Sequence, residues 1–523
     1  MTNATDDVGT GASRRGGGRT ARRRPQGGDP AAVPMVAGSA LARPFRPLDD
    51  DAVARIHRAA LEILATIGVA AATPRVLEAA LHRGCTLSPT GRLLFPRALV
   101  EDCLAGAARR FVVHGRDPRH DFEAVTGRVN FCTGGAAVTM LDPGTRTYRP
   151  STLRDLYDLA RLCDVLENIQ WVTRPVVATD VADPFALDAN TVYACAAGTA
   201  KHIATSFSQG SHVTDILPML DHLAGGEGRF AARPFCTVHA TTIVSPLTFA
   251  PDSLDVACAA IDIGMPIQCQ TGPQSGATAP AALAGTLAQI CAEGLASLTV
   301  INLLRPGHPV VLGNWPFVSD LRTGAFSGGG GEQALLGAAC GQMATFYGIP
   351  GGGGAGMTDS KLPDAQAGFE KGITLALAAL SGGGFIYESA GMLASLLGCS
   401  FESMVIDDDM LSNIRRIARG IEVSDETLSV DLIASTVEGE GHYLGAPQTL
   451  ALMESEYTYP RLADRRSPAD WADAGSPDIR ERAAERVRDI LGRHHPQHIT
   501  PAADHAIRAA YPIHLDLGTE NLP

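Results

Sequence analysis

Paired cysteines are the plainest absence in this sequence. Its 11 cysteines are scattered singly from Cys85 to Cys399, and no two of them make a CxxC pair. That spacing excludes a disulfide framework and a thiolate metal ribbon, and it predicts reduced, buried thiols in a cytoplasmic protein. Positive charge is also short: 43 lysines and arginines face 56 aspartates and glutamates, a net charge of −13. A body of that sign does not suit a nucleic-acid binder. No apolar run reads as long enough to span a bilayer, so no membrane helix is expected. Aromatic residues make up only 5% of the chain, so each one near a candidate site carries weight. Apolar bulk is what the chain has instead. At 45% hydrophobic over 523 residues, it suits one large barrel with additions or about three average domains.

The sequence divides into four regions. Residues 1–42 hold SRRGGGRTARRRPQGG, a basic low-complexity stretch without periodicity that reads as a disordered tail. Residues 43–126 form a helical cap region. Ile56, Ala59, Ala60, Ile63, Leu64 and Ile67 recur at helical spacing before Gly68, and further helices follow from Pro74 and Pro96. Phe111 to His114 reads as a short strand. Residues 127–423 alternate short apolar runs with helical ones. The candidate strands cover 129–135, 169–177, 202–208, 235–245, 266–272, 309–316, 347–357 and 385–391. Eight such units predict an α/β fold, a TIM (β/α)8 barrel, in preference to an open doubly wound sheet, since no GxGxxG follows the first strand. Residues 424–523 read as a helical extension, with helices over Leu428–Val437 and Pro477–Leu491. HHPQH at 494–498 lacks ligand spacing, so no metal is assigned and solvated histidines are expected.

A barrel places function at the C-terminal strand ends. The polar or aromatic residues there are Thr133, Arg174, Ser206, His239, Thr241, Gln268, Gln270, Asn314, Trp315, Asp359, Lys361, Tyr387 and Glu388. The densest stretch runs from Tyr347 to Lys371, where Gly351–Gly354 and Gly356 precede Thr358, Asp359, Ser360 and Lys361. Glycines at that density let backbone pass close to something or adopt positive φ.

Several blocks in order resemble the trimethylamine methyltransferase family. They are VHGRDP at 113–118, TGPQSGATAPAALAGTLAQ at 271–289, DLRTG at 320–324, MTDSKLPDAQAGFEKG at 357–372, GGGFIYESAGML, FESMVIDDDM and EYTYPRLADRRSPADW at 456–471. The resemblance spans roughly Arg43 to Leu491. It implies a barrel mouth that receives a methylated amine and, opposite it, the corrinoid (cobalamin) of a separate carrier protein. No DxHxxG motif occurs here, so the corrinoid is expected from that partner. Archaeal trimethylamine enzymes of the family carry pyrrolysine, expected near the TDSK segment. This chain has only ordinary residues and resembles the non-pyrrolysine branch, whose studied members demethylate quaternary amines such as glycine betaine.

The resemblance assigns roles as expectations. Glu388, Asp359 and Lys361 are the candidate catalytic groups. Trp315, Asn314, Phe207, Tyr387, His239 and Gln270 are candidate substrate contacts, while Gly353, Gly354, Gly356, Thr358 and Ser360 are candidate corrinoid contacts. A permanent cation suits an aromatic wall, at about 0.5–2 kcal/mol per contact. Phe317 and Tyr347 join the aromatic candidates. Each assignment has a plainer counterpart: an ion pair of Glu388 with Lys361 or Arg174, a structural His239, or a helix cap at Asp359. Two other readings stand beside the first, a methyltetrahydrofolate-linked methyltransferase and a non-catalytic betaine- or corrinoid-binding barrel. Assembly as a homo-oligomer is left open.

Overall fold

The computed structural model describes Ser39–Ala40 and residues 44–517, so most of the predicted basic tail lies outside the described residues. Eight parallel strands form the centre: β1 (Arg128–Phe131), β2 (Trp171–Thr173), β3 (His202–Thr205), β4 (Cys236–Ala240), β5 (Ile267–Thr271), β6 (Val310–Asn314), β7 (Gly351–Gly354) and β8 (Gly384–Tyr387). Neighbours in sequence pair in parallel, and β8 returns to β1 with Phe385 opposite Asn130. Closure between β1 and β2 rests on a bridge from Cys132 to Trp171. There the Gln170 backbone N–H donates to the Phe131 carbonyl (2.8 Å), and the Phe131 N–H donates to Gln170 Oε1 (2.8 Å). The sheet is therefore a closed (β/α)8 barrel.

Each strand is followed by a helix on the outside: α1 (Leu153–Val165), α2 (Pro184–Gly198), α3 (Leu217–Ala224), α4 (Pro251–Ile263), α5 (Leu283–Leu304), α6 (Gly331–Tyr347), α7 (Ala365–Leu380) and α8 (Phe401–Arg419). Helices on the outer face and packed side chains within bury both sides of every strand, which is why the strands read as continuous apolar runs. Helix boundaries follow local chemistry. Thr152 and Asp155 form a capping box at the start of α1, and Gly264 and Gly348, both at positive φ, end α4 and α6. Tyr347 thus closes a helix, and the seventh strand is shorter than the predicted 347–357.

β7 consists of four glycines because its neighbours leave no room for side chains. A Cβ on Gly352 would lie 1.7 Å from the Phe385 carbonyl oxygen, and one on Gly351 would lie 2.6 Å from that of Leu312. α5 corrects one reading of the sequence. Its 22 residues include an 18-residue window with a mean hydropathy of 1.5, long and apolar enough to cross a membrane, but 89% of that window is buried inside the protein. It is a core helix, packed against β5, β6 and the N-terminal helices Asp50–Thr66, Pro74–His82 and Arg97–Gly106.

The hairpin Phe111–Val113/Phe122–Ala124 belongs to the barrel's N-terminal end. Its Val113, Phe122 and Ala124 share one interior cluster with Trp171, Phe385, Trp315 and Tyr387. The lumen is thus filled from below and opens at the C-terminal strand ends. After α8, the predicted helix at Leu428–Val437 is broken at Ser429 (φ 55) into Asp425–Leu428 and Val430–Glu438, neither of which buries a residue. Ile479–Arg493 packs on α8 and α1. The HHPQH histidines differ from the expectation of solvated side chains. His494 and His498 both place Nε2 on Asp164 Oδ2, at 2.8 and 2.9 Å.

Candidate active site

Two small sheets stand on the rim of the barrel mouth. Thr139–Leu141 and Tyr148–Pro150, from the loop after β1, join Met392–Leu393 and Gly398–Cys399, from the loop after β8. Gln274–Ser275, Phe317–Ser319 and Phe326–Ser327 form the second sheet. At the C-terminal strand ends lies a cavity of ≈ 120 Å³ whose lining comes from almost every strand. Gly135 and Ala136 follow β1, Arg174 follows β2, and Ser206 follows β3. His239 and Thr241 come from β4, Gln270 from β5 and Trp315 from just after β6, and Leu396 arrives from the loop after β8.

Glu388 is the least ordinary residue at this mouth. It follows β8 at φ 55, a left-handed conformation that costs a non-glycine residue on the order of 1 kcal/mol or more. It is 0% exposed, and neither carboxyl oxygen has a hydrogen-bond partner. Its carboxyl lies over two inward-facing glycines: ideal Cβ atoms on Gly134 and Gly354 would sit 3.1 and 2.4 Å from Oε1 and Oε2. Burial alone pushes this carboxyl well above the usual carboxylate range. The glycine at the end of β7 therefore makes room for a buried acid.

Aromatic rings cluster at the inner cavity. Trp315 and Tyr387 have ring centroids 5.5 Å apart, and His239 lies 5.3 Å from Trp315 and 6.3 Å from Tyr387. Trp315 Nε1 and the Tyr387 hydroxyl are buried without partners. Gln268 Nε2 lies 3.1 Å from His239 Nε2; the amide donates, so that nitrogen accepts and Nδ1 carries the proton. Burial, aided by the Arg174 charge, pushes the His239 pKa down to about 3, so the ring is neutral near pH 7. Arg174 itself donates its backbone N–H to the Ala204 carbonyl (2.9 Å).

A sequence profile described as trimethylamine methyltransferase (MTTB) matches residues 14–512. The chain belongs to that family. Similar proteins include the trimethylamine methyltransferase MttB of Desulfitobacterium hafniense (strain DSM 10664 / DCB-2), 31% identical over 89% of this chain and 92% of the relative. The MttB of Methanosarcina thermophila is 33% identical over 84% and 91%. A glycine betaine methyltransferase of Desulfitobacterium hafniense (strain Y51) is 28% identical over 89% and 96%. The family makes this protein a methyltransferase.

In this MTTB-family barrel, the residues singled out from sequence fall into three places. Trp315, His239 and Gln270 line the inner cavity, Tyr387 packs against Trp315 and His239, and Glu388 is buried against Gly134 and Gly354. Asn314 does not: its Oδ1 lies 2.6 Å from where a Cβ on Gly294 of α5 would be, so the side chain points outward from the strand. Phe207 packs into the outer core, and Tyr347 lies edge-on to His57 and tilted against Phe346 on that outer side, away from the lumen aromatics. The glycine series presents no open face. Gly353 lies against the Asn314 carbonyl, and Gly354 and Gly356 lie against Glu388. Thr358 is bonded to Glu370, and Ser360 Oγ donates to Asp364 Oδ1 at 2.8 Å.

Asp359 and Lys361 line a larger outer depression of ≈ 680 Å³ together with Asp320, Arg322 and Glu332. Asp359 ties loops together, accepting from Ser327 Oγ (2.9 Å), the Gly328 N–H (2.6 Å) and Ser395 Oγ (2.6 Å), while Lys361 Nζ donates to the Asp359 carbonyl. Neither pairs with Glu388. The segment dividing the two spaces escaped the sequence reading. Ala394, Ser395 and Leu396 all have positive φ (50, 56 and 71°). Ser395 lines the outer depression and Leu396 the inner cavity. Nothing local in ASLLG signals that geometry, because the backbone is held from outside: the Ala394 and Ser395 N–H groups donate to the Ser360 and Thr358 carbonyls, each at 2.8 Å.

Proposed function

We propose that this protein transfers a methyl group from a quaternary amine to the Co(I) of a corrinoid held by a separate carrier protein. One observation carries the donor side. Glu388 holds two unpartnered carboxyl oxygens and directly follows Tyr387, whose ring lies 5.5 Å from Trp315; a fixed positive charge would supply what the carboxyl and the rings lack. The relatives named for trimethylamine and for glycine betaine support a methylated amine as substrate.

The chemistry suits these residues. In an in-line displacement the N–CH3 bond breaks and its electron pair stays on nitrogen, which departs as a neutral tertiary amine. The new carbon bond forms to Co(I), a strong nucleophile supplied by the corrinoid. No proton has to be delivered, and His239, already neutral, is no acid at pH 7. What remains for the chain is positioning and electrostatics. Trp315 and Tyr387 hold the cation, and Glu388 becomes its counter-ion by releasing a proton when the cation docks. Leu396 and the 394–396 segment keep water from the inner cavity. The outer depression, with Asp320, Arg322, Glu332, Asp359 and Lys361 on its wall, is the face offered to the carrier and its corrinoid. The buried glycines of β7 have no surface to offer a corrin ring. Eleven free buried cysteines fit a reducing cytoplasm.

The test is a donor screen with purified protein and cob(I)alamin, read as methylcobalamin absorbance. Methyl transfer from a quaternary amine with little from trimethylamine is the expected result. Efficient transfer from trimethylamine alone overturns the reading.

A further inference from the structure

We propose that residues 394–396 form a latched gate between the inner cavity and the outer depression, which must swing aside before a methyl group can pass from donor to corrinoid. This inference rests on the methyl-transfer reading and gives Ser395 and Leu396 their parts in it.

The segment is the tip of a hairpin, because Met392–Leu393 pairs antiparallel with Gly398–Cys399. Adjacent residues of this tip face different spaces: Ser395 lines the outer depression and Leu396 the inner cavity. An in-line displacement needs the attacking atom, the methyl carbon and the leaving nitrogen in contact along one line. A donor beside Trp315 and a corrinoid in the outer depression are kept from that contact by the tip. Leu396 is the plug. Its seat is Gly135, where an ideal Cβ would lie 3.3 Å from Leu396 Cδ2.

The closed position is held under tension. Ala394, Ser395 and Leu396 all lie at positive φ, a region that residues with a Cβ occupy only where the surroundings over-determine it. Hydrogen bonds supply that constraint. The Ala394 and Ser395 N–H groups donate to the Ser360 and Thr358 carbonyls, each at 2.8 Å, and Ser395 Oγ donates to Asp359 Oδ1 at 2.6 Å. The other half of the latch is fixed. Asp359 also accepts from Ser327 Oγ and the Gly328 N–H, its own N–H donates to Glu370 Oε2 (2.9 Å), and Ser360 Oγ donates to Asp364 (2.8 Å). The tip is the half that can move. Ala394, Ser395 and Leu396 are only half-buried, whereas Met392, Leu393 and Cys399 at the hairpin base are fully buried. Backbone strain and hydrogen bonding therefore oppose each other, and losing one bond shifts the balance toward the open form. Asp359 and Lys361 line the outer depression, so a carrier that docks there meets the latch itself.

The experiment reads solvent entry into the inner cavity, whether or not any amine reacts. Trp315 Nε1 is buried in that wall without a partner among the described residues, so deuterium exchange of its indole N–H reports opening. The chain has only 3 tryptophans, so NMR of isotope-labelled indoles separates them, and Trp315→Phe identifies the signal. Trp171, whose Nε1 donates to Thr173 Oγ1 at 2.6 Å, is the internal control. Ser395→Ala removes the latch bond to a carboxylate without altering the lining of the inner cavity. It should speed Trp315 exchange about 10- to 150-fold and leave Trp171 unchanged. Leu396→Ala, which shortens the plug, should speed Trp315 exchange as well. Stopped-flow binding of tetramethylammonium gives a second signature: a gate raises both rate constants in Ser395→Ala by one factor and leaves Kd unaltered. Trp315 exchange unmoved in both variants, or a changed Kd at an unaltered association rate in Ser395→Ala, overturns the gate. Should Leu396→Ala not fold, or tetramethylammonium not bind, exchange in Ser395→Ala decides alone. Faster indole exchange in the variants, without methyl transfer from any amine to cob(I)alamin, would support the gate while sinking the proposed reaction.

Discussion

Replacing Glu388 by glutamine should change how the protein's stability depends on pH. The wild-type carboxyl is buried without a partner between Gly134 and Gly354, and its folded pKa is raised well above the ordinary value by burial. In the unfolded chain it titrates near about 4.3. A raised folded pKa means that the neutral form stabilises the fold fully below about pH 4.3. That contribution is lost as pH rises, until the folded pKa is passed. Glutamine has nearly the same shape and never ionises. Within that window the stability of Glu388→Gln relative to wild type should therefore grow by about 1.4 kcal/mol per pH unit, or about 3 kcal/mol over two units. Urea unfolding of both proteins at pH 5, 6 and 7, at constant ionic strength, measures the difference, and every other titrating group is common to both. A difference that stays constant across the three pH values would refute the claim that Glu388 is held neutral.

Binding a quaternary ammonium should draw Glu388 into its ionised form, so calorimetry of glycine betaine binding in two buffers of different ionisation enthalpy should show proton release in wild type and none in Glu388→Gln. Trp315→Ala should raise the KM for the donor about 2- to 30-fold, matching about 0.5–2 kcal/mol of cation–π contact, with unchanged far-ultraviolet circular dichroism; an unaltered KM would remove Trp315 from the site. Gly352→Ala should cost at least about 3 kcal/mol, because its Cβ would lie 1.7 Å from the Phe385 carbonyl, whereas Gly368→Ala in α7, with open space around it, should stabilise by about 0.5–1 kcal/mol. Differential scanning calorimetry checks both. Asp164→Asn should cost about 1.5–3 kcal/mol and release the segment that His494 and His498 pin to the barrel, seen as new proteolytic cleavage beyond Arg493.

Much of the scaffold could be read from the chain, whereas the orientation of its side chains could not. Asn314 and Trp315 are adjacent, both polar or aromatic and both at the end of β6, yet one points to α5 and the other into the lumen. Alternation along a strand fixes that they differ, but only the register with β5 and β7 decides which one faces inward. The glycines of β7 were visible as a need for close approach. What approaches them, the Phe385 carbonyl and the Glu388 carboxyl, lies about thirty residues further on. α5 is long and apolar enough for a membrane span, contrary to the reading that no run reaches that length, and its burial beneath the N-terminal helices identifies it as core.

The sequence by itself determined the eight β/α units, because strands covered on both faces must be apolar throughout and helices must repeat at their own period. It also marked the glycine-rich seventh strand, since backbone contact at under 3 Å excludes any side chain. Only the tertiary structure decided the site. Closing the barrel brought Arg174 after β2, His239 from β4 and Trp315 after β6 to one cavity, and left the Glu388 carboxyl buried against Gly134 and Gly354. Which side chains meet there depends on distances between strand ends that are far apart in the chain, and no local pattern encodes those distances.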